Sequence, residues 1–191
     1  PLISNIPNIV YLSPTSKEEY LAMLEYSLNQ TQHPVAIRVP NVWVSTGVVD
    51  TTDYSQLNKF KVESKGTKVA ILGLGNFFGL ANEVRDELKK RFGFDATIIN
   101  PRFISGIDKE LLQNLKEDHK IIVTLEDGQL NGGFGEKIAR FYSDSAVKVL
   151  NFGGKKEFTD RIPIEQLYER YHLTKELIVQ DISNILEVAY V

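Results

Sequence analysis

Residues 126–141 read Glu-Asp-Gly-Gln-Leu-Asn-Gly-Gly-Phe-Gly-Glu-Lys-Ile-Ala-Arg-Phe, two acids and a run of glycines ahead of a helical pattern. Two kinds of chemistry fit. Glycine amides at a helix start can cradle a phosphate, because the first backbone N–H groups are free and the helix end is positive. The same glycines can instead let a helix pack close to a sheet. Glu126 and Asp127 close an apolar run, the position at which open α/β sheets bind ligands. Against a cradle, aromatic Phe134 follows Gly132 and Gly133, and Glu136 can satisfy the helix dipole without any ligand. Packing or a subunit contact is the stronger reading of these residues. A second set, Gly73, Gly75 and Gly79, also follows an apolar run and opens a helix. Its spacing is one residue longer than the dinucleotide fingerprint, and the next strand ends in Asn100 where an acid is needed. Phe77 and Phe78 would crowd a phosphate, so a tight strand-to-helix turn is expected there.

Arg38 is the other notable charge. It closes the run Val35-Ala-Ile-Arg-Val-Pro-Asn41, among apolar neighbours where an unpaired guanidinium is costly. Its planar fork calls for a carboxylate or a phosphate, and an internal salt bridge and a ligand both remain open. His33, His119 and His172 each lie in a polar stretch with no His-x-x-x-His spacing, and all three read as surface residues. No pair of carboxylates and no Asp, Glu or His cluster has catalytic or metal-ligand spacing. Cysteine is absent, which excludes disulfides, thiolate zinc and thiol nucleophiles.

The elements that must position these groups follow from periodicity. "NIVYLSP" reads as a buried strand, and "SKEEYLAMLEYSLNQ" as a helix whose Ser16 and Glu19 form a capping box. Leu21, Leu24 and Leu28 are expected to form its buried stripe. "PVAIRVP" completes a β-α-β unit of a parallel sheet. Residues 41–66 lose all period, so 45–58 reads as a linker followed by an edge strand at "KFKVES". Then strands "KVAILGLG", "DATIINP", "KIIVTLED" and "VKVLNFG" alternate with helices. Gly93 is expected to end the first of these helices and Asp108 to cap the second. The segments "PIEQLYERY" and "TKELIVQDISNILEVA" close the chain as helices. The expected fold is therefore α/β, a mostly parallel sheet sandwiched by helices and preceded by a smaller β-α-β unit.

At 191 residues, 42% hydrophobic and 25% charged, the chain has room for one core plus part of another. A net charge of −3 with mixed signs and no basic run argues against nucleic acid or an anionic membrane as partner. No apolar run approaches the roughly 18 residues of a membrane span, and no secretory leader is visible. A cytoplasmic location is expected. The opening Pro1-Leu2-Ile3 reads as entry partway through an element, as in an excised portion of a longer protein.

Taken together, "NIPNIVYLSPTSKEEYLAMLEYSL", "PVAIRVP", "VAILGLG", "INPRFISGID", "VTLEDGQLNGGFGEKI" and "YERYHLTKELIVQDI" resemble, in order and spacing, the C-terminal third of the 1-deoxy-D-xylulose-5-phosphate synthase family. That family belongs to the transketolase-like thiamine diphosphate enzymes. The resemblance implies that residues 1–44 are the remnant of a pyrimidine-binding domain, 45–59 a linker, and 60–191 a transketolase C-terminal domain. It implies condensation of pyruvate with glyceraldehyde 3-phosphate, thiamine diphosphate and Mg2+ in the parent, and a homodimer. The motifs that hold the cofactor lie upstream in the family, so the resemblance implies no cofactor on this portion, no catalytic residue in it and no activity alone. The family usually reads Arg-Tyr-Pro-Arg where this chain reads Arg38-Val-Pro-Asn41. Arg38 and Asn41 are thereby the candidate substrate-phosphate residues, and Asn41 leaves the acceptor open. A transketolase, a 2-oxo acid dehydrogenase β-subunit and a regulatory ligand- or partner-binding module are the alternatives.

Overall fold

A computed structural model describes residues 2–40 and 45–188; Asn41 lies outside the described residues. Two sheets organise the chain. The small one pairs β1 (Val10–Leu12) with β2 (Val35–Ile37) in parallel, joined by α1 (Lys17–Asn29). The large one has five strands: β3 (Lys61–Ser64), β4 (Lys68–Gly73), β5 (Thr97–Asn100), β6 (His119–Gln129) and β7 (Lys148–Gly154). Their order is β3-β5-β4-β6-β7, all parallel except β3, which runs antiparallel at the edge. The helices are α2 (Phe78–Phe92), α3 (Lys109–Asp118), α4 (Phe134–Phe141), α5 (Ile164–Arg170) and α6 (Lys175–Val188).

Strand alternation assigns the two faces of the large sheet. Val69 and Ile71 of β4, with Ile121 and Val123 of β6, pack under Val84 and Leu88 of α2 and Ile178 and Ile182 of α6. Ala70, Leu72 and Ile122 point the other way, onto Leu112 of α3 and Phe134 and Ile138 of α4. Each such fully buried aliphatic side chain contributes about 1.5–3 kcal/mol. The expected layered α/β architecture is the one observed. Gly93 ends α2 in the left-handed conformation at φ 72°, and Asp108 caps α3 by accepting the Leu111 amide at 3.2 Å.

Three expectations need correction. In α1 the buried face carries Met23 and Glu19, with Ala22 and Tyr26 beside them, while Leu21 and Leu28 are exposed. The helix turns toward Phe103 and Tyr54, and leucine spacing alone could not show which side those residues would cover. Ser16 caps α1 as expected, accepting the Glu19 amide at 3.2 Å, but the Glu19 carboxylate reaches back to the Thr15 amide at 2.8 Å, one residue before the cap. The stretch 45–58 is no bare linker. Tyr54 within it is buried, its hydroxyl donates to Asp50 at 2.6 Å, and Asp50 and Asp53 each close a local turn.

β1 connects the two parts directly. On one side it pairs with β2; on the other, the Ser13 amide donates to Arg102 and the Ile104 amide to Tyr11, at 2.8 and 2.7 Å. Leu12 and Phe103 form an antiparallel bridge there.

Candidate functional site

The C-terminal ends of β2, β4, β5 and β6 converge where the two parts meet. β6 carries Glu126 inward and Asp127 to the rim. The buried Glu126 carboxylate folds back over the glycine loop and accepts the amides of Phe134 and Gly135 at 3.0 and 2.8 Å. These are the free amides at the start of α4, so an internal acid occupies the place a phosphate would take. Burial pushes Glu126 above the usual carboxylate range, and the two amides and Arg38 oppose that shift. The glycines serve close approach. A Cβ on Gly133 would lie 2.8 Å from the Glu126 carboxylate, and one on Gly135 would lie 2.7 Å from Thr124 Oγ1. Glu136 accepts the Gly132 amide at 2.8 Å and completes the loop.

Arg38 forms an ion pair with Asp127, Nη2 to Oδ1 at 2.7 Å, so the guanidinium left open by sequence has an internal carboxylate. About a third of each side chain remains open, 33% for Arg38 and 30% for Asp127. Burial raises Asp127 as well, and Arg38 pulls it back down. Gly73 and Gly75 make the expected tight turn. A Cβ on Gly73 would lie 2.8 Å from Ala81, and Gly75, at φ 57°, leaves no space against Ser13 Oγ.

At the end of β5 lies a cluster that sequence reading did not assemble. Asn100 donates to Glu19 at 2.7 Å, and Glu19 also accepts the Thr15 hydroxyl at 2.9 Å. Burial raises the Glu19 carboxyl, against the hydrogen bonds from Thr15. Arg102 has a left-handed backbone at φ 59°, an uncommon state for a non-glycine residue. Its guanidinium donates to Thr52 at 2.6 Å and to the Lys59 carbonyl at 3.2 Å, over the Tyr54 ring. The signal available beforehand was the polar triplet Asn100-Pro-Arg102 at a strand end. Its partners lie too far along the chain to be guessed.

The histidines divide. His172 is exposed and pairs with Asp181 at 2.7 Å. His119 is buried at the start of β6, contrary to expectation, and its ring bridges Thr97 Oγ1 at 2.7 Å and the Leu115 carbonyl at 3.0 Å. Burial lowers its pKa, and its two contacts tie β6 to β5 and α3, a structural role. Among the described residues no group of three His, Cys, Asp or Glu side chains converges as a metal site would require. No helix among them is long and apolar enough to cross a membrane.

The family model for the transketolase C-terminal domain matches residues 58–178. The chain belongs to the transketolase C-terminal domain family. It is 33% identical over 187 residues to the 1-deoxy-D-xylulose-5-phosphate synthase of Clostridium tetani, covering 96% of this chain and 30% of that protein. To the Clostridium acetobutylicum enzyme of the same name it is 35% identical over 184 residues, 94% of this chain and 29% of the relative. The chain thus spans a little under a third of the length of these curated relatives. Among solved structures, one described as a split gene transketolase, inactive beta4 tetramer, superposes with a TM-score of 0.77 at 24% identity, over 96% of this chain and 59% of that one. The Campylobacter jejuni transketolase gives 0.69 at 19% identity, over 96% and 27%. These two likenesses bear on the fold alone.

Proposed function

We propose that the chain is the C-terminal portion of a 1-deoxy-D-xylulose-5-phosphate synthase, an enzyme that joins pyruvate, with loss of CO2, to glyceraldehyde 3-phosphate. The observation that carries this is continuous similarity to synthases over 96% of the chain, through both sheets and the stretch between them. In this reading residues 1–44 are the end of the pyrimidine-binding domain, 45–59 the linker and 60–191 the C-terminal domain of a cytoplasmic homodimer. Thiamine diphosphate, when bound, would supply the carbanion chemistry. Its diphosphate and Mg2+ do not fit the residues here, because Glu126 holds the amides of the glycine loop and no metal-ligand cluster is present among the described residues. On this reading the remainder of the parent holds the cofactor, and this portion has no activity alone. Its contribution is the wall beside the site and the dimer contact.

Arg38, with Asn41, is the phosphate-side residue of this reading. A guanidinium has five N–H donors, and the Asp127 contact runs through one nitrogen, so the open third of Arg38 can still meet an anion.

The test mixes this chain with a polypeptide carrying the upstream two thirds of a related synthase. Deoxyxylulose phosphate formed from pyruvate and glyceraldehyde 3-phosphate supports the reading. Alone, the chain should keep its Tm on addition of thiamine diphosphate and Mg2+, since a ligand of the native state raises it; a clear rise refutes the placement of the cofactor elsewhere. Membership of the transketolase C-terminal domain family leaves a second reading, part of a transketolase. Two-carbon transfer between sugar phosphates without pyruvate in the same assay would mark that outcome.

A further inference from the structure

The connections of the large sheet part at one place. β4 runs into α2 on one face, and its neighbour β6 runs into α4 on the other. The crevice beyond their carboxyl ends is therefore a topological switch point, where open α/β sheets bind ligands. A cavity of about 400 Å³ lies there, closed on one side by Ile164 and Leu167 of α5. Its lining runs from Phe77, just after β4, through Gly128 and Gln129 at the end of β6 to Gly154 at the end of β7. Arg38 does not line it, and every lining residue falls between 77 and 173.

The walls narrow the ligand. The rings of Phe77 and Tyr168 stand at 74° with centroids 6.1 Å apart and make a corner, and Tyr171 lines the same space. Gly128 and Gly154 carry no side chain, so a flat ring can come close to the main chain between the aromatics. The Gln129 amide and the Tyr168 and Thr159 hydroxyls have no side-chain hydrogen bond among the described residues. The charged groups are already engaged. Asp127 pairs with Arg38, Glu157 accepts the Tyr171 hydroxyl at 2.7 Å and pairs with Arg170, and Lys155 lies 6.0 Å from the centre of the Tyr171 ring. A free amide that both donates and accepts, set beside ring faces and paired charges, suits a planar uncharged heterocycle. The cavity has the size of a small-molecule site, with room for more than one ring, and the Thr159 hydroxyl offers the further contact that a sugar would use.

We propose that this crevice binds a nucleoside, its base at the Phe77–Tyr168 corner with one edge on the Gln129 amide. Phosphate recognition and the Glu126 loop take no part, and binding does not require the chain to be part of a synthase.

Titration of the full chain with adenosine and with uridine, followed by amide NMR, tests this. Saturable shifts at Gly128, Gln129 and Gly154 are expected with at least one of the two. Tyr168→Leu keeps apolar bulk but no ring and should weaken binding about tenfold. Tyr168→Phe keeps the ring and should cost no more than about threefold, and Gln129→Leu should cost about fivefold. Lys148→Gln, at the start of β7 and the opposite end of the sheet, should bind as the wild type does. Raising the salt from 0.15 M to 1 M should change the affinity by less than about twofold, because no charge pairs with the ligand. Ribose 5-phosphate is the comparison probe. Saturable shifts at the same amides with ribose 5-phosphate but with neither nucleoside would overturn recognition of the base. A larger loss of affinity at 1 M salt would overturn the uncharged ligand. Absence of saturable shifts from both nucleosides, or unchanged affinity in a folded Tyr168→Leu variant, would overturn the site itself.

Discussion

Glu126 determines what the glycine loop can do. With the Phe134 and Gly135 amides held at 3.0 and 2.8 Å, an incoming anion would have to displace a buried carboxylate and leave it unpaired. Replacement by glutamine keeps the shape but turns one acceptor into a donor facing an amide. Glu126→Gln should therefore lose about 1–3 kcal/mol, read as a lower urea midpoint at an unchanged slope. An unchanged midpoint would show that these amides find other partners. The two acids at a strand end were legible in the sequence, and so was the demand of Arg38 for a partner. What spacing could not show is that Glu126 folds over the helix start eight and nine residues on, or that Arg38 finds Asp127 nearly half the chain away. His119 was missed for a related reason. Asp118 and Lys120 make its surroundings look polar, yet strand alternation turns the ring between them inward.

Among the elements, the strands and helices of the large sheet were readable because buried parallel strands are continuous apolar runs and their helices carry clear caps. The face of α1 was not, since its outer leucines are as regular as its inner residues. Its orientation comes from polar contacts, above all Asn100 to Glu19 across the junction. Asn100→Asp would set two carboxylates against each other in a buried place, at a cost of about 3 kcal/mol or more near neutral pH. The raised folded pKa makes the sign clear: such a pair is most favourable protonated, so the lost stability returns as pH falls toward the range in which the pair takes up a proton. Thermal unfolding of both proteins between pH 7.5 and 5 should show the gap narrowing. A gap independent of pH would show that Glu19 and residue 100 do not titrate together.

For the whole molecule, apolar exposure is uneven. Leu2, Ile6, Leu28, Val39, Val48 and Val49 are all exposed within the first 49 residues, whereas the longer remainder exposes Leu57, Phe92, Phe158 and Ile164. Among the described residues the small sheet has two strands, and residues 102–104 cover the β1 side of it but not the β2 side. Self-association through this part is expected, with light scattering giving a mass above the 21.6 kDa of one chain and falling in Leu28→Lys or Val48→Lys variants. A monomer at tens of micromolar would count against it.

The buried Tyr54 bears on where this polypeptide could be severed. The first forty residues are held by backbone pairing to residues 102–104, by Glu19 on Asn100, and by Met23 packed with Tyr54 and Phe103. None of these contacts depends on the peptide bonds of residues 46–49. A protease nick there would leave two pieces that stay associated and elute as one in gel filtration, separating only in denaturant. In this respect the first forty residues are held by contacts that would outlast a cut in the stretch joining them to the rest.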